Sequence, residues 1–285
     1  MFKNRELSSP EKLFVIVLCI CLGFLCNALI IGTLYQYMQG EIAYKILLVL
    51  SSVLTFGLPA VAAAALIGSE KNPFAHIRLT SNVKISKFLI VIVFMLSIIP
   101  AIEFVASLNA SYSFPESIKG IEEYLRSIDA SAMEATQRAL AGSDVGMFVL
   151  NLVALAITPA VCEEMFFRGV MQKFFVDNIR NKHIAILLTA FIFSAIHMQF
   201  SGLLPRFILG AVLGYLFYSS GSLWLSIVAH ATNNALVVIA AFFFGAEVSA
   251  SPDLSAYANP WWICAIVAGL AIAFFAGRKI FHTKK

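Results

Sequence analysis

Between Leu13 and Met38 no residue carries a charge, and runs of that kind recur along most of the chain. An apolar stretch of about 20 residues has one stable solution in lipid, an α-helix that satisfies its own backbone. Eight runs are legible: Leu13–Met38, Ile42–Ile67, Phe88–Leu108, Val145–Lys173, Ile184–Phe200, Leu203–Ser219, Ser222–Ala246 and Trp261–Phe281. Together they use up most of the 285 residues, which predicts an all-α polytopic membrane bundle of about eight helices in a single membrane-embedded domain. A mean hydropathy of +0.87 with 13% charged residues excludes an ordinary soluble globule. The first run follows MFKNRELSSPEK but is too long for a cleaved leader, so a retained span is expected.

The one long connection, Asn109–Asp144, carries six acids and three bases, with Ile118, Ile121, Leu125, Ile128 and Ala132 at helical spacing. An amphipathic helix is expected over Ser117–Leu140, lying at the interface or over the bundle, as a lid or a plain linker. Lys and Arg are unevenly distributed between the two sides. Fourteen fall on segments that share a side with the N-terminus, against Lys45, Lys119, Arg126, Arg138 and Arg206 opposite. The positive-inside rule then places both termini in the cytoplasm. The net charge of +4 is scattered over loops, so lipid and not nucleic acid is the expected environment. Cys19, Cys21, Cys26, Cys162 and Cys264 all sit in apolar runs and read as small hydrophobes, not as a disulfide or metal framework.

One run breaks the apolar pattern. TPAVCEEMFFR, Thr158–Arg168, puts Glu163, Glu164 and Arg168 at membrane depth. Each such charge costs roughly 2.5–3.5 kcal/mol at a span centre, so it needs a partner or a task. Adjacent helical residues point about 100° apart, so Glu163 and Glu164 cannot aim at one point. Glu164 and Arg168 are four apart and can pair, which leaves Glu163 to face the bundle interior. Inter-helical glue remains an alternative for all three. His197, on the fifth run, is equally well explained by a hydrogen bond to a backbone carbonyl. His230 and Asn234, four apart on the seventh run, share a face, so one could donate to a developing negative charge while the other holds it. Asn233 is turned away and is expected to pack elsewhere.

Depth allows these groups to meet. At 1.5 Å per residue, Glu163 lies about 15 Å, His197 about 21 Å, His230 about 12 Å and Asn234 about 18 Å from the cytoplasmic boundary. A carboxylate, two imidazoles and an amide form a hydrolytic set. The carboxylate takes a proton from water, with histidine aligning that water or protonating the leaving amine, and the His230/Asn234 pair stabilises an oxyanion. Glu163, His197 and His230 could instead hold a zinc ion with an open fourth position, although neither HExxH nor any tight ligand spacing is present. No GxSxG elbow and no intramembrane aspartate pair occurs. Gly210-x-x-x-Gly214 marks a close-packing helix face.

At these residues the chain resembles the membrane-embedded peptidase family of type II CAAX prenyl endopeptidases and bacteriocin-processing or immunity proteins (the Abi, or CPBP, family). Glu163-Glu164-Met165-Phe166-Phe167-Arg168 reads as EExxxR, Phe193 to His197 as FxxxH and His230 to Asn234 as HxxxN. Pro159, Gly169 and LGYLFYSSGSLWLSIVAHATNN add flanking similarity over about Ala154–Leu236. The resemblance implies an intramembrane endopeptidase acting on a peptide or membrane-anchored protein, in a bacterial inner membrane. It implies Glu163 and His197 as activators of water, His230 with Asn234 as oxyanion donors, and Glu164 with Arg168 as scaffold. The family carries both metalloprotease and metal-free readings, so zinc stays open, and its substrates are too varied to transfer. Two readings of other classes remain: a non-catalytic peptide binder such as an immunity protein, and a proton-coupled transporter. Intramembrane Glu and His also mark proton relays, but no inverted repeat is visible.

Overall fold

Ser8 and Glu11 close a capping box ahead of the first apolar run, and Pro10 fits the first turn, where no N–H partner is needed. The result is α1, Ser9–Tyr37. In this computed structural model residues 7–246 and 254–281 are described. After α1 come α2 (Glu41–Ile67), the short α3 (Pro73–His76), α4 (Ile85–Ala110), α5 (Lys119–Leu140) and α6 (Val145–Asn178). Then follow α7 (Lys182–Ala195), α8 (Leu203–Ser220), α9 (Leu223–Phe244) and α10 (Pro260–Phe281). No strand occurs among the described residues. Seven of the helices are long and apolar enough to cross a bilayer, and the chain is an integral membrane protein. Leu18, Leu22, Leu25 and Leu29 of α1 are exposed, as side chains against lipid tails are.

The core is knitted by aromatic rings around α6. Phe166 and Phe167 meet edge to face at 5.5 Å, and Phe167 meets Phe193 of α7 at 5.1 Å. Phe56 of α2 closes the cluster against Phe167 at 5.5 Å. Below them Lys173 of α6 donates to the His76 carbonyl at 2.9 Å, tying the loop after α2 to the bundle. Trp224 and Leu223 at the start of α9 donate to Leu79 and Arg78 of the same loop. The five cysteines are free thiols.

Two sequence expectations are corrected. The fifth apolar run, Ile184–Phe200, is not one span: α7 stops at Ala195 and its 14 residues rise about 21 Å, short of the roughly 30 Å hydrocarbon core. The chain turns back through residues 196–202, where Met198 adopts φ +55°, a left-handed conformation rare for a side-chain-bearing residue. Lys45, counted on the outer side, is not a free surface charge either. It is fully buried on α2 and donates to the carbonyls of Ala139 and, at 3.1 Å, Ala141. Those are orphan acceptors at the end of α5, where positive charge also suits the helix dipole. Lys3, Arg5, Lys284 and Lys285, counted for orientation, lie outside the described residues.

Candidate functional site

Pro159 shapes the helix that bears the acids. It has no N–H to give the Leu155 carbonyl four residues back. Helix α6 responds with a wider π-helical segment at Leu152–Ile157, resumes α-helix over Thr158–Glu164, and widens again over Met165–Gln172. Such widened turns cluster at functional positions. The Leu155 carbonyl accepts instead from Asn234 Nδ2 of α9, at 3.4 Å.

Arg168 and Glu164, both fully buried, pair at 2.8 Å across one helical turn. The guanidinium also donates to the Gly210 carbonyl at 2.9 Å and stacks 4.6 Å from the Phe193 ring centre. One turn on, Gln172 donates to the Gly214 carbonyl at 2.9 Å. The two glycines are required by this approach. A Cβ at Gly214 would lie 2.7 Å from Gln172 Oε1, and one at Gly210 would lie 3.2 Å from the Ala190 backbone of α7. The GxxxG face therefore packs α8 on α7 and exposes carbonyls to α6.

His230 lies between the two acids. Its Nδ1 is 3.0 Å from Glu164 Oε1, and its Nε2 is 3.9 Å from Glu163 Oε2. The two carboxylates diverge as helical geometry requires, yet they address opposite ends of one imidazole. The partner that orients His230 is thus Glu164, not Asn234. His197 Nδ1 donates to the Phe193 carbonyl at 2.8 Å, which leaves the Nε2 lone pair unengaged by that bond. His197 stands in the turn after α7, not on a span. Asn233, expected to pack elsewhere, donates to Asn234 Oδ1 at 3.3 Å.

Of the six residues singled out by the motifs, Glu163, His197, His230 and Asn234 line one cavity of about 520 Å³, and Glu164 and Arg168 do not. Glu163, His197, His230, Asn233 and Asn234 contribute its polar wall, and Ala132, Ala135, Thr136, Ala139 and Leu140 of α5 its cover. The short α7 makes room for this arrangement. Its turn is met from above by Asn109, which donates to the Phe200 carbonyl at 2.6 Å, and by Asp129 of α5, which accepts from the Ser201 N–H at 2.9 Å. The amphipathic connection is therefore a cover over the cavity.

Sequence reasoning missed two cavity residues, Arg206 and Gln199, which bond each other at 2.5 Å. The orientation count uses Arg206 only as a charge near the outer end of the sixth run. The signal that singles out Arg168, a guanidinium next to an apolar run, applies equally to Arg206 in Leu203-Leu204-Pro205-Arg206-Phe207-Ile208-Leu209. Among the described residues no three His, Cys, Asp or Glu side chains are grouped closely enough to hold a metal ion.

Residues 145–236 match the family model described as type II CAAX prenyl endopeptidase Rce1-like. The matched segment runs from the first residue of α6 into α9 and holds Glu163, Glu164, Arg168, His197, His230 and Asn234. Over this segment the chain is similar to the CAAX-protease family. Helices α1–α5, including the cover, lie outside it. No curated protein and no solved structure matches the chain.

Proposed function

We propose that this protein is an intramembrane endopeptidase that hydrolyses a peptide bond of a membrane-associated peptide or protein with water activated by Glu163 and His197. The reading is carried by the approach of Glu163 to His230, 3.9 Å, inside a cavity that His197 and Asn234 also line. A water held between the Glu163 carboxylate and the His197 Nε2 lone pair gives its proton to Glu163 as it attacks the peptide carbonyl. The oxyanion then takes donors from the Asn234 amide, whose 3.4 Å bond to Leu155 is long enough for a better acceptor to displace, and from Nε2–H of His230 in its imidazolium form, whose Nδ1–H is already given to Glu164. Glu163 returns its proton to the leaving amine, and the step closes without a metal ion. Glu164 and Arg168 act through position, since Glu164 holds His230 by Nδ1. Both termini are assigned to the cytoplasm, with α7 and α8 entering and leaving the bilayer from that side as a hairpin and α5 covering the cavity from the outer side.

The family match, extending over all of these residues, supports an endopeptidase over a peptide-binding protein or a transporter. The experiment that separates them uses purified protein in liposomes with a library of membrane-inserting peptides in 18O-enriched water. Hydrolysis predicts new peptide termini carrying one heavy oxygen, in amounts unchanged by prior dialysis against a chelator. Peptides retained intact would contradict it, and cleavage lost on chelation would contradict the metal-free step.

A further inference from the structure

Arg206 is the one guanidinium among the residues lining the cavity. It lies against the Gly202 backbone, in space a side chain would fill: a Cβ there would stand 2.7 Å from Nη2 and 2.9 Å from Nη1. Nη2 is used by Gln199 at 2.5 Å. Nη1 is out of solvent and has no hydrogen-bond partner among the described residues. Arg206 as a whole is half-buried, but a donor nitrogen out of solvent normally has an acceptor, and leaving it unused is costly. The charge also couples to Glu163 and to Asp129 of the cover. Asp129 holds Ser201 N–H with one oxygen, and its other oxygen has no hydrogen bond among the described residues. A positive group with an unused donor thus borders the cavity that Glu163 lines, and an acid on the cover lies within its field.

We propose that Arg206 is a specificity-determining residue that captures a carboxylate of the bound peptide. This rests on the proposed endopeptidase reading and narrows its substrates to peptides carrying an anion near the scissile bond. Two sources share that chemistry: a free C-terminus and an acidic side chain. Arginine suits either, because its planar fork matches a carboxylate bidentately. A captured carboxylate fixes the peptide in the cavity while the apolar cover accommodates its remaining side chains. Asp129, bearing the same group on the cover, balances the guanidinium when no peptide is bound.

The test is a binding measurement, so that it stands apart from whether cleavage occurs. Full-length Glu163→Gln protein in detergent is titrated with three fluorescent libraries of apolar decapeptides. One has free C-termini, one has amidated C-termini, and one has amidated C-termini with a single internal glutamate. Capture predicts that one of the acid libraries binds about ten- to a hundred-fold more tightly than the plain amide library, the worth of a charge-assisted bond. Arg206→Gln in the same background brings all three libraries to equal affinity, and Arg206→Lys gives an intermediate preference. Preference for the free C-terminus identifies that source, and preference for the internal glutamate identifies the other. Equal binding of all three libraries by the parent protein would overturn the proposal, whatever the variants do. So would a uniform loss across the libraries in Arg206→Gln, which is the mark of a structural role.

Discussion

Arg168 shows how a charge is held at membrane depth. Glu164, the Gly210 carbonyl and the Phe193 ring surround it, and none of its surface is exposed. Deleting one partner of a buried pair leaves the other uncompensated, at a cost of about 3–5 kcal/mol. Arg168→Ala should therefore lower the thermal midpoint steeply in detergent, with loss of activity following from loss of fold. Glu163 makes no such bond, so Glu163→Gln should leave the midpoint near that of the parent. The two measurements divide the adjacent acids into one that holds the bundle and one available for chemistry. The pairing of Glu164 with Arg168 was readable from their spacing alone. That His230 sits between Glu163 and Glu164 was not, because it depends on how α9 crosses α6.

The same distinction holds among helices. The length of α5 follows from its apolar periodicity, but its role as a cover depends on distant groups. Lys45 and Asn151 take the carbonyls of Ala139, Leu140 and Ala141 at its end, and Asp129 takes Ser201. Lys45→Met should unfasten that end by leaving buried carbonyls unpaired, a loss of about 1–3 kcal/mol. Amide exchange over 130–141 should quicken while the exchange of α6 stays unchanged. Equal quickening in both would show that Lys45 supports the whole bundle. The stop of α7 was hidden for a related reason. Ile184–Phe200 is uncharged throughout, and the one glycine of the turn, Gly202, stands at its far end, past the limit of the apolar run. Backbone groups freed there are taken by Asn109 and Asp129 from another part of the chain, which hydropathy does not register.

At the scale of the molecule, apolar run length was enough to read the bundle, since lipid admits few alternatives. It could not show that a helix too short to span stands beside a cavity inside that bundle. The loop between α2 and α4 binds the C-terminal part of α6 and the start of α9 and carries a pH dependence of its own. A hydrogen bond from His76, with the nearby Lys173 charge, holds the Glu70 carboxyl below the usual glutamate range. A depressed folded value means that this contribution is full above the unfolded value, about 4.3, and is lost as pH falls through the folded one. Tryptic cutting at Lys71 and Arg78, after brief exposure to graded acid and return to neutral pH with slow refolding blocked by cold, should rise only below that range. Glu70→Gln should remove the step. The proposal that a wet cavity within the bilayer activates water through one carboxylate meets its most direct test in single-turnover cleavage by liposome-reconstituted Glu163→Gln. With its fold intact, that variant should be slower by about 100- to 10,000-fold, the usual worth of a positioned base. Cleavage at the parent rate would contradict the account.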